Sequence, residues 1–114
     1  MNIIIDKPQL VRVVLLYLNM NFGNLTTKTD SEYPDLVFYV DSNNEVMMEY
    51  NNYFDEIHIH YERIWSKIES LFQLNHDNTK LIMKHWLEET YDLRNLRHIQ
   101  RIYSWNFNLR GFTI

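Results

Sequence analysis

The chain has 114 residues and a mass of 14.1 kDa, enough for one domain and too little for two ordinary ones. At 46% hydrophobic and 23% charged it has a globular rather than a disordered composition, and having no cysteine it lacks disulfide scaffolds, thiolate metal centres and thiol chemistry. The formal charge of −4 is unevenly spread: three bases and ten acids lie through Glu62, eight bases and five acids from Arg63 onward.

In chain order, residues 7–22 read first as a helix. Leu10, Val11, Val14, Leu15 and Leu18 recur at helical spacing, Asp6 can cap the start, Pro8 suits the first turn and Gly23 can end it. Val13, Leu16 and Tyr17 widen the apolar stripe, which predicts burial on more than one side. Residues 24–35 are polar and close on Tyr33-Pro34-Asp35, a turn signature. Three strand-like runs follow at 36–40, 45–50 and 53–61, separated by Asp41-Ser42-Asn43-Asn44 and by Asn51-Asn52. Connections this short force neighbours to pair antiparallel, so the runs predict a three-stranded meander. In the third run Ile57 and Ile59 fall on one face while Glu56, His58 and His60 fall on the other.

Ile64, Trp65, Ile68, Leu71 and Phe72 form an amphipathic stripe, predicting a helix over 62–74. Asp77 or Asn78 can cap a second helix from about 79 to 93, with Ile82, Trp86 and Leu93 on its apolar face; Leu96, Ile99 and Tyr103 can prolong that stripe. From Tyr103 the period becomes two, as Trp105, Phe107 and Leu109 alternate with polar residues. This predicts a final strand over 103–109 that adds to the sheet or pairs with a second copy in a homodimer. The expected fold is therefore a single α+β domain over residues 1–114: an N-terminal helix, a three-stranded antiparallel meander, two C-terminal helices packed on one face of the sheet, and a final strand.

Val13–Leu18, the most apolar stretch, falls far short of the roughly 20 residues a bilayer needs, so no membrane partner is expected. Asp6 stands where a signal peptide would carry bases, and no small-residue cleavage site follows, so the expected location is the cytoplasm. No G-x-S-x-G, P-loop or dinucleotide fingerprint is present, and two glycines are too few for a phosphate cradle; neither a cofactor nor an enzymatic activity is expected.

Four constellations remain. His58 and His60 form an H-x-H on one strand face, about 6.6–6.8 Å apart, close enough to share a metal if His85 or His98 supplied a third ligand; the alternative is a pair of solvated histidines. His85 and Glu89, at i and i+4 on the predicted helix, read as a surface pair. Arg94, Arg97 and Arg101 fall at i, i+3 and i+7 of the prolonged helix, with Trp105 beyond, a basic–aromatic series suited to phosphates and stacked bases of single-stranded nucleic acid. The strongest feature is the interval between Lys28 and Arg63, which has nine carboxylates and no Lys or Arg. Glu45, Glu49, Asp55 and Glu56 would there present an acidic sheet surface to a basic protein partner.

Several segments resemble small, uncharacterised proteins predicted in bacteriophage genomes: Tyr33-Pro34-Asp35 with Val37–Ser42, Val46-Met47-Met48-Glu49, Ile64-Trp65, Glu69-Ser70-Leu71-Phe72, and Trp86–Glu89 before Tyr91–Arg94. The likeness covers roughly Gly23 to Arg94 and is not continued beyond Arg97. What the resemblance implies is a viral accessory protein acting in host cytoplasm. With the acidic interval, the expectation is a non-enzymatic protein that binds a host or phage protein and acts as an inhibitor. Single-stranded nucleic-acid binding is the alternative, and a metal-dependent enzyme using His58 and His60 comes third.

Overall fold

The computed structural model describes residues 7–104. Three helices, α1 (Lys7–Phe22), α2 (Ser66–Phe72) and α3 (His76–Tyr91), accompany five strands, β1 (Thr26–Asp30), β2 (Tyr33–Val40), β3 (Val46–Asn51), β4 (Glu56–His60) and β5 (His98–Ile102). The strands lie in sheet order β1-β2-β3-β4-β5. Pairing is antiparallel from β1 to β4 and parallel between β4 and β5. A parallel neighbour needs a long crossover, and a π-helical turn (Tyr61–Trp65), α2 and α3 provide it. The α+β class is thus as expected, built on a mixed five-stranded sheet.

The helix over 7–22 and the meander of β2, β3 and β4 correspond to the predicted elements. Three others differ. Thr26–Asp30, read as loop, forms the edge strand β1, because β-branched threonines suit a strand even with no apolar alternation to announce it. Tyr33-Pro34-Asp35 opens β2 instead of turning; Pro34 falls in the register irregularity between the Lys28–Phe38 and Asp30–Tyr33 pairs and outside the first β3 pair, Leu36–Asn51, so its missing N–H interrupts no regular ladder. The apolar positions Leu96 and Ile99 do not prolong α3. Asp92 takes a left-handed φ of 54° and stops the helix, and His98–Ile102 runs as β5. Tyr103 and Ser104 follow that strand, while 105–109, most of the expected final strand, and the Asp6 cap lie outside the described residues.

Register explains the core. Tyr39, Met48 and Ile59 align across three strands, as do Val37, Tyr50, Ile57 and Ile99 across four. This face merges with Val14 and Leu18 of α1, Ile64 and Trp65 of the π turn, Ile68 of α2, and Ile82, Met83, Trp86 and Leu87 of α3 into one buried cluster. Each such aliphatic side chain contributes about 1.5–3 kcal/mol on burial. A smaller cluster, Leu36, Phe38 and Val40 with Tyr33 and Val46, sits on the opposite face. A bulge between Tyr39 and Val40 leaves Met47 as the extra residue of β3 and turns it, like Met48, into the main core.

Candidate functional site

The strand register divides the acidic interval between the two ends of the sheet. The β2 start, the β3–β4 turn and the β5 start share one end, bringing Glu32, Asp35, Asp55 and Glu56 together; Asp41, Glu45 and Glu62 lie at the other. Glu49 sits in mid-sheet and is only 5% exposed, so it presents no charge to a partner. The four residues singled out in the sequence therefore do not form one surface. Asp55 and Glu56 are neighbours at the turn, Glu49 is interior, and Glu45 is at the far end within 3.8 Å of Arg63.

The β3–β4 turn is the most distinctive part of the acidic end. Asn51 Oδ1 accepts hydrogen bonds from the backbone N–H of Tyr53 (3.0 Å) and Phe54 (3.2 Å), an Asx turn that replaces strand pairing locally. Asn52 N–H donates to the Asp35 carbonyl at 2.9 Å, and the Arg97 N–H to the Asp55 carbonyl at 2.8 Å. Asp55 adopts φ 54°, which aspartate tolerates, and its carboxylate accepts from the Tyr50 hydroxyl at 3.1 Å. The sequence alternation had carried the third strand through Tyr53 and Phe54. They instead occupy the tip, 72% and 54% exposed, with rings edge-to-face at 4.7 Å.

His58 lies on the sheet face away from the helices. Its Nδ1 is 3.5 Å from Glu49, across the β3–β4 pair, a long ion pair rather than a well-made hydrogen bond, and its Nε2 is 3.8 Å from Glu56. Glu49 raises the His58 pKa above its ordinary value, against the opposing effect of burial. His60 shifts the other way: burial and then Arg63 lower its pKa. Its Nδ1 accepts the Arg63 N–H at 3.2 Å, a role that requires an unprotonated nitrogen. The two histidines are thus engaged separately. Among the described residues no group of three or more His, Asp or Glu side chains is arranged to hold a metal ion. His85 lines a surface crevice with Pro8, Val11, Arg12 and Leu15, and His98 is exposed opposite Glu56 in the β4–β5 register.

The arginine series is redistributed because the helix on which it was placed ends at Tyr91. Arg94 is in the loop, 2.7 Å from Asp92; Arg97 precedes β5, 4.0 Å from Asp55; Arg101 is on β5, 3.8 Å from Glu69 and over the Tyr61 ring at 5.4 Å. They do not form one helical series, and each meets a carboxylate. Trp105 lies outside the described residues.

A feature that has little signature in the sequence is a groove of about 390 Å³ between α3 and the approach to β5. Lys80, Lys84 and Arg97 rim it above Leu81, Leu96 and Ile99. The available signal was the pair of lysines one helical turn apart around an exposed leucine. No family model, curated protein or solved structure matches the chain.

Proposed function

We propose that this is a non-enzymatic binding module that engages a basic protein surface through the acidic end of its sheet, with Tyr53 and Phe54 as anchors and Asp35, Asp55 and Glu56 around them. The observation that carries the reading is the exposure of two large aromatic rings on a turn tied down by backbone and side-chain hydrogen bonds. Aromatic anchors on a rigid frame give large buried area at low entropic cost, and surrounding charge steers the encounter. The resemblance to small bacteriophage proteins supplies the setting, a viral accessory protein that inhibits a host or phage protein by occupying its groove. Nucleic-acid binding through Arg94, Arg97 and Arg101 draws less support, since each arginine faces a carboxylate.

The test is affinity capture from host lysate with the full chain, comparing wild type with the double substitution Tyr53→Ser/Phe54→Ser, with Asp35→Lys/Glu56→Lys, and with Glu45→Lys at the opposite end. The first two should lose the captured protein while the circular dichroism stays unchanged, and Glu45→Lys should keep it. Capture that survives both turn variants sinks the reading.

A further inference from the structure

The groove beside α3 differs in chemistry from the acidic turn. Lys80 and Lys84 project from one flank of α3 and Arg97 faces them from the chain entering β5, with Asp77 the single carboxylate in the lining. Arg63, Arg94, Arg97 and Arg101 all lie within 4.0 Å of a carboxylate, whereas no ion pair involves Lys80 or Lys84 among the described residues. Two cations one helical turn apart, neither in an ion pair among the described residues, outweigh the single Asp77 carboxylate and with Arg97 form a local positive field over an apolar floor.

The floor does not end at the groove. Leu81, 65% exposed, also lines an adjoining apolar crevice of about 120 Å³ with Leu10, Val11, Leu74 and Ile82. An apolar track therefore runs from Leu96 and Ile99, across Leu81, to the seam between α1 and α3. It passes beside β5, whose one strand neighbour among the described residues is β4. Every apolar residue lining groove and crevice is aliphatic, with no ring on which a base could stack.

We propose that this groove binds an acidic amphipathic segment of a partner protein, with carboxylates meeting Lys80, Lys84 and Arg97 and leucine-type side chains following the track over Leu81. Charge complementarity selects an anionic occupant, and the aliphatic, ring-free floor favours a peptide over single-stranded nucleic acid. The inference rests on Lys80, Lys84 and Leu81, which take no part in the aromatic turn, and Arg97, paired with Asp55, is the residue the two sites share, so the lysine and Leu81 variants test the groove separately.

The probe is a dye-labelled synthetic peptide with leucines along one helical face and glutamates elsewhere, titrated into the full chain at low salt. Fluorescence anisotropy gives the affinity, and amide shifts in two-dimensional NMR give the location. Saturable binding with shifts at Leu81, Lys84, Leu96 and Arg97 is expected. It should weaken about tenfold or more in Lys80→Glu/Lys84→Glu. That variant should in turn bind the same peptide with lysines replacing its glutamates, a rescue that a merely unfolded variant cannot give. Leu81→Ser, which leaves the charges in place, should also weaken binding. Absent binding overturns the proposal, as does equal affinity for a peptide whose leucines are replaced by serine. So do tighter binding of labelled single-stranded DNA to the same amides, and self-association by light scattering that disappears in Lys80→Glu/Lys84→Glu.

Discussion

Asn19 joins two helices through one oxygen: its Oδ1 accepts from Trp86 Nε1 at 3.0 Å and from Thr90 Oγ1 at 2.7 Å. Trp86 is fully buried, so removing the acceptor strands an indole N–H in the core. Asn19→Ala should lower stability by about 1–3 kcal/mol, read as a shift of the urea midpoint at constant slope. Gly23 is constrained by close approach, since a Cβ there would lie 2.4 Å from the Asn19 carbonyl oxygen. His58 and His60 should titrate on opposite sides of the ordinary histidine value near 6.5, His58 above and His60 below, in a proton-detected NMR titration. The linkage signs follow. The contribution of His58 is complete below about pH 6.5 and is lost as pH rises through its higher folded value; that of His60 is complete above about pH 6.5 and is lost as pH falls through its lower one. His58→Gln should accordingly remove the part of the stability–pH curve that declines as pH rises from about 6.5 and spare the acid side. A single monotonic curve unaffected by the substitution would contradict this.

Helix ends show where element boundaries were legible and where they were not. Gly23 announced the end of α1 in the sequence, whereas α2 ends on Gln73 at φ 55° and α3 on Asp92 at φ 54°, left-handed positions that no glycine marks. At α2 the Leu74 N–H returns to the Glu69 carbonyl at 3.0 Å, the six-residue closure of a Schellman motif. Gln73→Gly relieves a left-handed cost of about 1–2 kcal/mol and adds about 0.5–1 kcal/mol of unfolded-chain entropy, so it should raise stability by roughly 0.5 kcal/mol. A lower urea midpoint would refute that. The sequence offers Asp77 or Asn78 as the α3 cap, but Asn75 fills it, accepting from the Asn78 N–H at 2.8 Å. Of the site, the Lys/Arg-free interval singles out Asp55 and Glu56, but alternation carries both inside a strand over 53–61, whereas Asp55 lies in the turn and Glu56 opens β4. It could not mark Glu49 as interior, because burial depends on pairing with His58 across strands. Tyr53 and Phe54 looked like strand residues because alternation carries no information about where an Asn side chain replaces the ladder. The groove is hidden for a related reason: Arg97 and Lys80 come to line one groove through the parallel return of β5, where the apolar spacing of Leu96 and Ile99 suggests a continued helix.

On the scale of the molecule, one cluster takes side chains from all three helices and from β2, β3, β4 and β5. With no partition in that core, far-UV and near-UV circular dichroism should report coincident urea transitions. Trp86→Ala should cost about 3–5 kcal/mol, a large fraction of the 5–15 kcal/mol typical of a domain. Separated transitions would mean that the helices and sheet fold as distinct units. Among the described residues no helix is long and apolar enough to cross a membrane. The Asp55–Arg97 pair, 4.0 Å apart, links the aromatic turn to the cationic groove. A ligand that draws Asp55 away leaves Arg97 for an anion in the groove, and by thermodynamic reciprocity an anion there leaves Asp55 for a cation at the turn. An exposed pair of this kind is worth about 0–1 kcal/mol, so the two occupants should strengthen one another by no more than about fivefold.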